Sequence, residues 1–104
     1  MSATVRHGIR TYFDEARVRA GETIAREGEL CHQLVLVSEG ELMLERRGQE
    51  VVLRSGDSYG WEAMDERGLN DATVIARTDA VLLVMSHAQF RAVAGMRPET
   101  KPAA

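Results

Sequence analysis

The stretch that decides the fold is Leu34-Val35-Leu36-Val37-Ser38-Glu39-Gly40-Glu41-Leu42, in which one apolar run ends at a glycine and another begins. Its first four residues are all apolar, as are Val81-Leu82-Leu83-Val84 further along the chain. Strands covered on both faces carry such unbroken runs, whereas strands with one wet face alternate. The sequence therefore predicts two central strands that are buried on both faces.

Short apolar or alternating runs continue on both sides of these two strands, and glycines separate them. No crossover helix pattern lies between the runs, which favours a two-sheet β-structure over an α/β sheet. The predicted fold is mainly β, a double-stranded β-helix (jelly roll or β-roll) with short N-terminal and C-terminal helices. The predicted strands are Ala16 to Ala20, Thr23 to Arg26, Gln33 to Ser38, Glu41 to Arg46, Glu50 to Arg54, Ala72 to Arg77 and Ala80 to Met85.

Two short helices are predicted to bracket the strands. Residues 5–13 carry apolar side chains at the spacing of one helix face. Ser86-His87-Ala88-Gln89 has the pattern of a capping box, and the helix that it opens would carry Phe90 inward. We assign residues 1–96 to one domain, and residues 97–104, which offer no apolar face, to a disordered tail or linker.

A single core is expected to hold this domain together, because the one cysteine cannot form an internal disulfide. The large apolar side chains of the predicted strands and of the C-terminal helix are its candidates. They are Leu34, Leu36, Leu42, Leu44, Leu53, Val74, Leu82, Val84 and Phe90.

Composition and charge limit what the chain does by itself. Its 104 residues include 13 Lys and Arg against 16 Asp and Glu, for a net charge of -3. A basic surface that binds nucleic acid through counterion release is not expected from this balance. The longest apolar stretch, residues 81–85, is far shorter than the ~20 residues of a membrane span, and the N-terminus lacks the apolar region of a secretory signal. We therefore expect one cytoplasmic domain without nucleic acid or membrane partners.

One segment interrupts the strand pattern. Between Gly56 and Ala72 the sequence has no alternation and contains Tyr59-Gly60-Trp61-Glu62-Ala63-Met64. We predict a loop with one or two helical turns there, inserted between two strands and rich in groups able to expose backbone N–H.

In their order and spacing these elements resemble the cyclic-nucleotide-binding domains of bacterial transcription activators, kinases and channels, over Phe13 to about Val93. The resemblance implies a β-roll that binds a ligand in the inserted segment, known in that family as its phosphate-binding cassette. The motifs that carry it are Arg19 to Glu29, Leu34 to Leu42, Ser55-Gly56-Asp57-Ser58-Tyr59-Gly60, and Ala72-Thr73-Val74-Ile75-Ala76 with Phe90 further on.

Two side chains complete the site in the family that the chain resembles. A glutamate directly after the cassette glycine accepts from the ribose hydroxyl, and an arginine ten residues after that glycine neutralises the cyclic phosphate. Counted from Gly60, these positions hold Trp61 and Asn70. Asp71 adds a carboxylate near the expected phosphate position, where it would repel an anion. The resemblance thus implies a degenerate site with cAMP and cGMP binding weakened or lost.

Two functions remain open at this point. The first is a regulatory or protein-interaction domain; the alternative is a small-ligand sensor that binds a cyclic nucleotide or another small molecule in the remodelled pocket. In the alternative, Glu62 would supply the ribose acceptor or Arg67 the phosphate partner. No cofactor is predicted apart from a cyclic nucleotide. The residues assigned to the degenerate pocket are Gly60, Trp61, Glu62, Ala63, Arg67, Asn70, Ala72 and Thr73.

Trp61 itself has three interpretations. It is a packed cap over the roll, an anchor for a partner, or a platform for a flat ligand. We predict that any self-association or protein partner uses Tyr59, Trp61 and Met64 together with the N-terminal helix.

A catalytic or metal function has little support in the sequence. Cupins, a second β-roll family, bind metal through histidines, but Gln33 and Leu34 next to His32 provide no further ligand. Cys31 is expected to be an inert residue at a turn. Paired carboxylates and a nucleophile elbow are also missing from the sequence, so we predict a non-enzymatic domain.

Overall fold

The computed structural model describes residues 13–93, so the predicted N-terminal helix and the tail at 97–104 lie outside the described residues. Within that range the chain forms short strands and two short helices. In chain order they are β1 (Asp14–Val18), β2 (Thr23–Ala25), β3 (Gln33–Glu39), β4 (Leu42–Arg46), β5 (Gln49–Leu53), β6 (Ser58–Tyr59), α1 (Trp61–Glu66), β7 (Thr73–Ala76), β8 (Ala80–Ser86) and α2 (His87–Val93).

The strands form two four-stranded antiparallel sheets. Their strand orders are β1-β8-β3-β6 and β2-β7-β4-β5, and the predicted mainly-β roll is confirmed. The apolar runs lie on β3 and β8, the two inner strands of the first sheet, where Val35 pairs with Val84 and Leu36 with Leu83. Their prediction as central strands is therefore also confirmed.

Two strands differ from the predictions by more than one residue at an end, whereas the bounds of the other six agree to within one residue. β1 begins at Asp14 rather than Ala16, because its pairing with β8 extends to Asp14 opposite Val84. β6 was missed, since two residues are too few to show a period. It forms because Tyr59 pairs with Val35 on β3.

Alternation along β3 separates two apolar clusters. Val35 and Val37 face the first cluster, which fills the space between the sheets, whereas Leu34 faces the second, which lies under the helices. The first cluster consists of Val35, Val37, Leu42, Leu44, Leu53, Tyr59, Ala72, Val74, Ala76, Ala80 and Leu82. The second consists of Cys31, Leu34, Met64, Met85 and Phe90, with Phe13, Trp61 and Ala63 packed against it.

The prediction of a single core is wrong, because the first sheet separates the apolar side chains into these two clusters. Leu34 and Phe90 belong to the second cluster rather than to the space between the sheets. Leu36 and Val84, both predicted as core residues, are only half-buried. The remaining predicted residues do lie in the first cluster.

The C-terminal helix begins as the sequence predicts. The backbone N–H of Ser86 donates to Gln89 Oε1 at 2.7 Å, and the N–H of Gln89 donates to Ser86 Oγ at 3.3 Å. These reciprocal bonds are those of a capping box. They orient α2 so that Phe90, only 4% exposed, covers the second cluster.

Across residues 13–93, the structure contains no helix with the length and apolar character needed to cross a membrane.

Candidate functional site

The inserted segment runs from β6 through α1 to β7, and a glycine sets its start. Gly60 precedes α1 with φ at +110°, in the region that favours glycine. A Cβ built there would lie 3.1 Å from the carbonyl oxygen of Gln33 and 3.5 Å from the sulfur of Cys31. The backbone of the segment thus lies directly against β3, and the predicted loop with a helical turn is confirmed.

Trp61, at the position where the resemblance implies a ribose acceptor, makes internal contacts. Its indole N–H donates to the buried hydroxyl of Ser58 at 2.8 Å. Its ring packs edge-on against Phe90, with centroids 6.1 Å apart and planes at 63°. Among the three interpretations of Trp61, these contacts support packing, in this case between α1 and α2.

Asn70, at the position where the resemblance implies a phosphate-binding arginine, is only 7% exposed and binds the loop between β2 and β3. Its side-chain nitrogen donates to the carbonyl of Arg26 at 3.1 Å. Its backbone N–H donates to the carbonyl of Glu29 at 2.8 Å, and its own carbonyl accepts from Gly28 at 2.9 Å. Three hydrogen bonds to one loop give Asn70 a structural role.

Asp71 lies in a network that the sequence analysis did not anticipate. Its Oδ1 accepts from the Tyr59 hydroxyl at 3.0 Å and forms an ion pair with Arg46 Nη2 at 3.1 Å. The Tyr59 oxygen in turn accepts from the backbone N–H of Asp71 at 3.1 Å. Burial raises the pKa of Tyr59 well above its usual range, and the hydrogen bond and negative charge of Asp71 raise it further.

Arg46 was missed because no local signal links it to the inserted segment. It lies at the end of β4, and the β4–β7 register places the neighbouring Glu45 opposite Thr73. Sheet pairing alone therefore brings this guanidinium beside Asp71. To predict this contact from the sequence, one would need to know the register between β4 and β7, which the pattern of a single sequence does not show.

The other predicted site residues are divided between packing and solvent. Ala72 is fully buried, and the Thr73 hydroxyl accepts from the backbone N–H of Glu27 at 3.1 Å. Ala63 packs against the second cluster. Glu62 and Arg67 are exposed, and the cation that pairs with Asp71 is Arg46 rather than Arg67.

The predicted interaction surface of Tyr59, Trp61 and Met64 is wrong. Tyr59 is 3% exposed and Met64 is 2% exposed, because each fills one of the two clusters. Trp61 is partly buried against Phe90. The aromatic and apolar character of this segment serves the fold rather than an open surface.

A polar pocket of about 260 Å³ lies between β2 and the first residues of β3. Its lining carries charges of both signs, from Arg26 and Glu29, so it has no single preferred ligand charge. α1 does not contribute to it. Other lining residues include Ile24, His32, Gln33, Val35, Tyr59 and Asn70.

Cys31 is buried, 1% exposed, and its thiol points to the carbonyl of Gln33 at 3.5 Å. Burial raises the pKa of this thiol, which lowers the population of the reactive thiolate. We expect native protein to react with a thiol-specific chromogenic disulfide far more slowly than denatured protein. Absorbance from the released product measures both rates, and equal rates would contradict the buried position.

Three comparisons relate this geometry to known proteins. Residues 15–95 match the family model of the cyclic nucleotide-binding domain. The cGMP-dependent protein kinase egl-4 of Caenorhabditis briggsae is 35% identical over 80 residues, which are 76% of this chain and 11% of the kinase. A cAMP-dependent protein kinase regulatory subunit of Schizosaccharomyces pombe is 30% identical over 79 residues, which are 74% of this chain and 19% of that protein. The chain thus spans a small part of these relatives.

A solved structure agrees with the sequence relatives. The catabolite activator protein of Thermus thermophilus superposes with a TM-score of 0.82 at 25% identity, over 91% of this chain and 47% of the activator. The two-sheet topology, the inserted helix between β6 and β7 and the match over residues 15–95 agree with one another. This chain belongs to the cyclic-nucleotide-binding domain family.

Proposed function

We propose that this chain is a non-catalytic regulatory or protein-interaction domain in which cAMP and cGMP binding is weakened or lost. The observation that carries the proposal is the internal use of the two positions that complete the family's site. Trp61 packs on Phe90, and Asn70 binds the loop between β2 and β3. Neither side chain provides a carboxylate for a ribose or a cation for a phosphate.

The size of the missing interactions supports the proposal. A hydrogen bond to a charged group contributes roughly 1.5 to 3 kcal/mol. The loss of two such contacts weakens binding by about two to four powers of ten. A site that would otherwise be micromolar then becomes ineffective at ordinary nucleotide concentrations.

The names of the relatives support a regulatory role for the domain. One is a regulatory subunit of a cAMP-dependent kinase, and another is a cGMP-dependent kinase in which the matching part covers 11% of the length. By analogy, this domain would act on another polypeptide or on another part of a longer chain. The protein partner and the cytoplasmic location remain predictions.

The proposal is tested by calorimetric titration with cAMP, cGMP and a panel of cyclic dinucleotides. For cAMP and cGMP we expect binding no tighter than roughly millimolar, given the two missing contacts. Micromolar binding of either mononucleotide by the wild-type protein would overturn the proposal.

A triple variant, Trp61→Glu with Asn70→Arg and Asp71→Ser, provides the comparison. It restores the ribose acceptor and the phosphate-binding arginine and removes a repelling carboxylate. We expect an affinity gain of about a hundredfold or more for cAMP or cGMP. Trp61 and Asn70 both make internal contacts, so circular dichroism must first show that the variant is folded. A folded variant without any gain would show that the pocket is closed and would favour a scaffold.

The alternative function, a small-ligand sensor, is supported by the pocket of about 260 Å³ beside Asn70. Ile24 lies in its wall, and Ile24→Trp would fill part of its volume. Binding of any titrated compound by the wild type that is lost in this variant would favour a sensor. Binding that the variant retains would place the ligand elsewhere.

A further inference from the structure

We propose that the Asp71 carboxylate is an intramolecular substitute for a ligand phosphate, held by the Arg46 guanidinium and the Tyr59 hydroxyl, and that it keeps phosphate-bearing ligands out of this position. The inference rests on the proposed function, because it supplies a physical reason for the weakened binding. It also assigns anion binding to Arg46 and Tyr59, which lie outside the two positions counted from Gly60.

The Arg46 guanidinium is the cation of this arrangement. Its Nη2 contacts a single carboxylate oxygen, Asp71 Oδ1, at 3.1 Å. Its Nε is buried and has no hydrogen-bond partner among the described residues. A guanidinium binds an oxyanion best through two parallel hydrogen bonds. Arg46 is therefore held to Asp71 by one contact at Nη2 rather than by a two-bond geometry, and its buried Nε is left unsatisfied.

The Tyr59 hydroxyl is the second hydrogen-bond donor to the Asp71 carboxylate. It accepts from the backbone N–H of Asp71 at 3.1 Å and donates to the carboxylate of the same residue at 3.0 Å. The ring is 3% exposed, so the hydroxyl is held in place by the first cluster. The amide of residue 71 is thereby satisfied within the protein instead of being open to a ligand.

The Asp71 carboxylate competes with an external anion for the Arg46 guanidinium. The internal carboxylate is tethered, so it reaches Arg46 without the loss of translational freedom that a free anion undergoes on binding. It also repels a second anion at the same place. With Asp71 removed, the guanidinium has no anionic partner and the Tyr59 hydroxyl has no acceptor. An external phosphate then gains the ion pair with Arg46 and a hydrogen bond from Tyr59.

The experiment uses Asp71→Ala, a change at a side chain that is 65% exposed and therefore compatible with folding. Inorganic phosphate and cAMP are titrated while NMR follows the backbone amide of residue 71. We expect saturable phosphate binding, tighter than in the wild type by about tenfold or more, the effect of one charge-assisted contact. The further change Arg46→Gln in this background should abolish the gain.

One control variant separates the specific effect from general charge, and one further measurement tests the contact with Tyr59. Glu45→Ala removes one carboxylate from the residue preceding Arg46 and changes the net charge equally, yet Glu45 forms no ion pair with Arg46. It should leave phosphate affinity unchanged. Ultraviolet titration of tyrosine in Asp71→Ala should show a lower pKa for Tyr59, because the carboxylate that accepts its hydrogen bond and adds a nearby negative charge is gone. If Asp71→Ala does not fold, Asp71→Asn takes its place.

The outcomes separate this inference from the proposed function. A wild type that binds cAMP tightly contradicts both, because Asp71 is then no barrier. A wild type without binding, together with an Asp71→Ala variant that gains no phosphate affinity, overturns only this inference. An equal gain in Glu45→Ala also overturns it, because the effect would then be nonspecific charge.

Discussion

Replacing Leu42 by alanine is expected to lower the free energy of unfolding by about 2 to 5 kcal/mol. Leu42 is completely buried in the first cluster, where it pairs with Leu53 on one side and Ala76 on the other. Truncation removes the transfer free energy of the deleted atoms and leaves a cavity that neighbouring strands cannot close. For a domain of about 100 residues, with total stability of roughly 5 to 15 kcal/mol, this is a large fraction.

Denaturant unfolding followed by circular dichroism measures the effect of Leu42→Ala. The matched control is Val51→Ala on the adjacent β5, where the side chain is 52% exposed. It should cost less than about 1 kcal/mol, as is usual for exposed sites. Leu36→Ala, at a half-buried position, should fall between the two. Equal losses at Leu42 and Val51 would show that the first cluster does not carry the stability.

Replacing Gly40 by alanine is expected to cost about 2 to 5 kcal/mol, from two separate causes. Gly40 adopts φ of +86°, which strains any residue with a Cβ. The new Cβ would also collide with the carbonyl oxygen of Asp79 and lie 2.8 Å from the Cα of Ala80. Both obstacles are backbone atoms of the turn entering β8, so a rotamer change cannot relieve the overlap.

Gly28→Ala is the matched control for Gly40→Ala. Gly28 has nearly the same φ, +88°, but open space where its Cβ would be placed. It should therefore carry only the conformational strain, about 1 to 2 kcal/mol. Thermal or denaturant unfolding of both variants isolates the steric contribution as their difference. Equal stabilities would mean that the turn between β3 and β4 moves freely away from β8.

The fold was predictable because its central strands carry an unusual pattern. β3 and β8 have apolar residues at successive positions, and such runs need a cover on both faces. The structure provides the second sheet on one face and the two helices on the other. That division into two clusters was not predictable, because the run itself does not show what covers each face.

For the candidate site, the sequence predicted which positions depart from the family pattern but not which contacts their side chains make. Counting from Gly60 identified Trp61 and Asn70 as departures from the family pattern. Their actual partners, Phe90 and the carbonyl of Arg26, lie 29 and 44 residues away in the chain. Contacts of that kind depend on how the sheets pair, which local periodicity does not encode.

By itself, the sequence determined the β-roll, its two central strands, the capping box of the C-terminal helix and the absence of the two ligand side chains. These features follow from local chemistry: which residues are apolar, where glycine allows a turn, and which side chains carry charge. Only the tertiary structure decided that Arg46, Tyr59 and Asp71 meet. The reason is that the β4–β7 register, and not the spacing along the chain, brings this cation to the carboxylate beside the inserted segment.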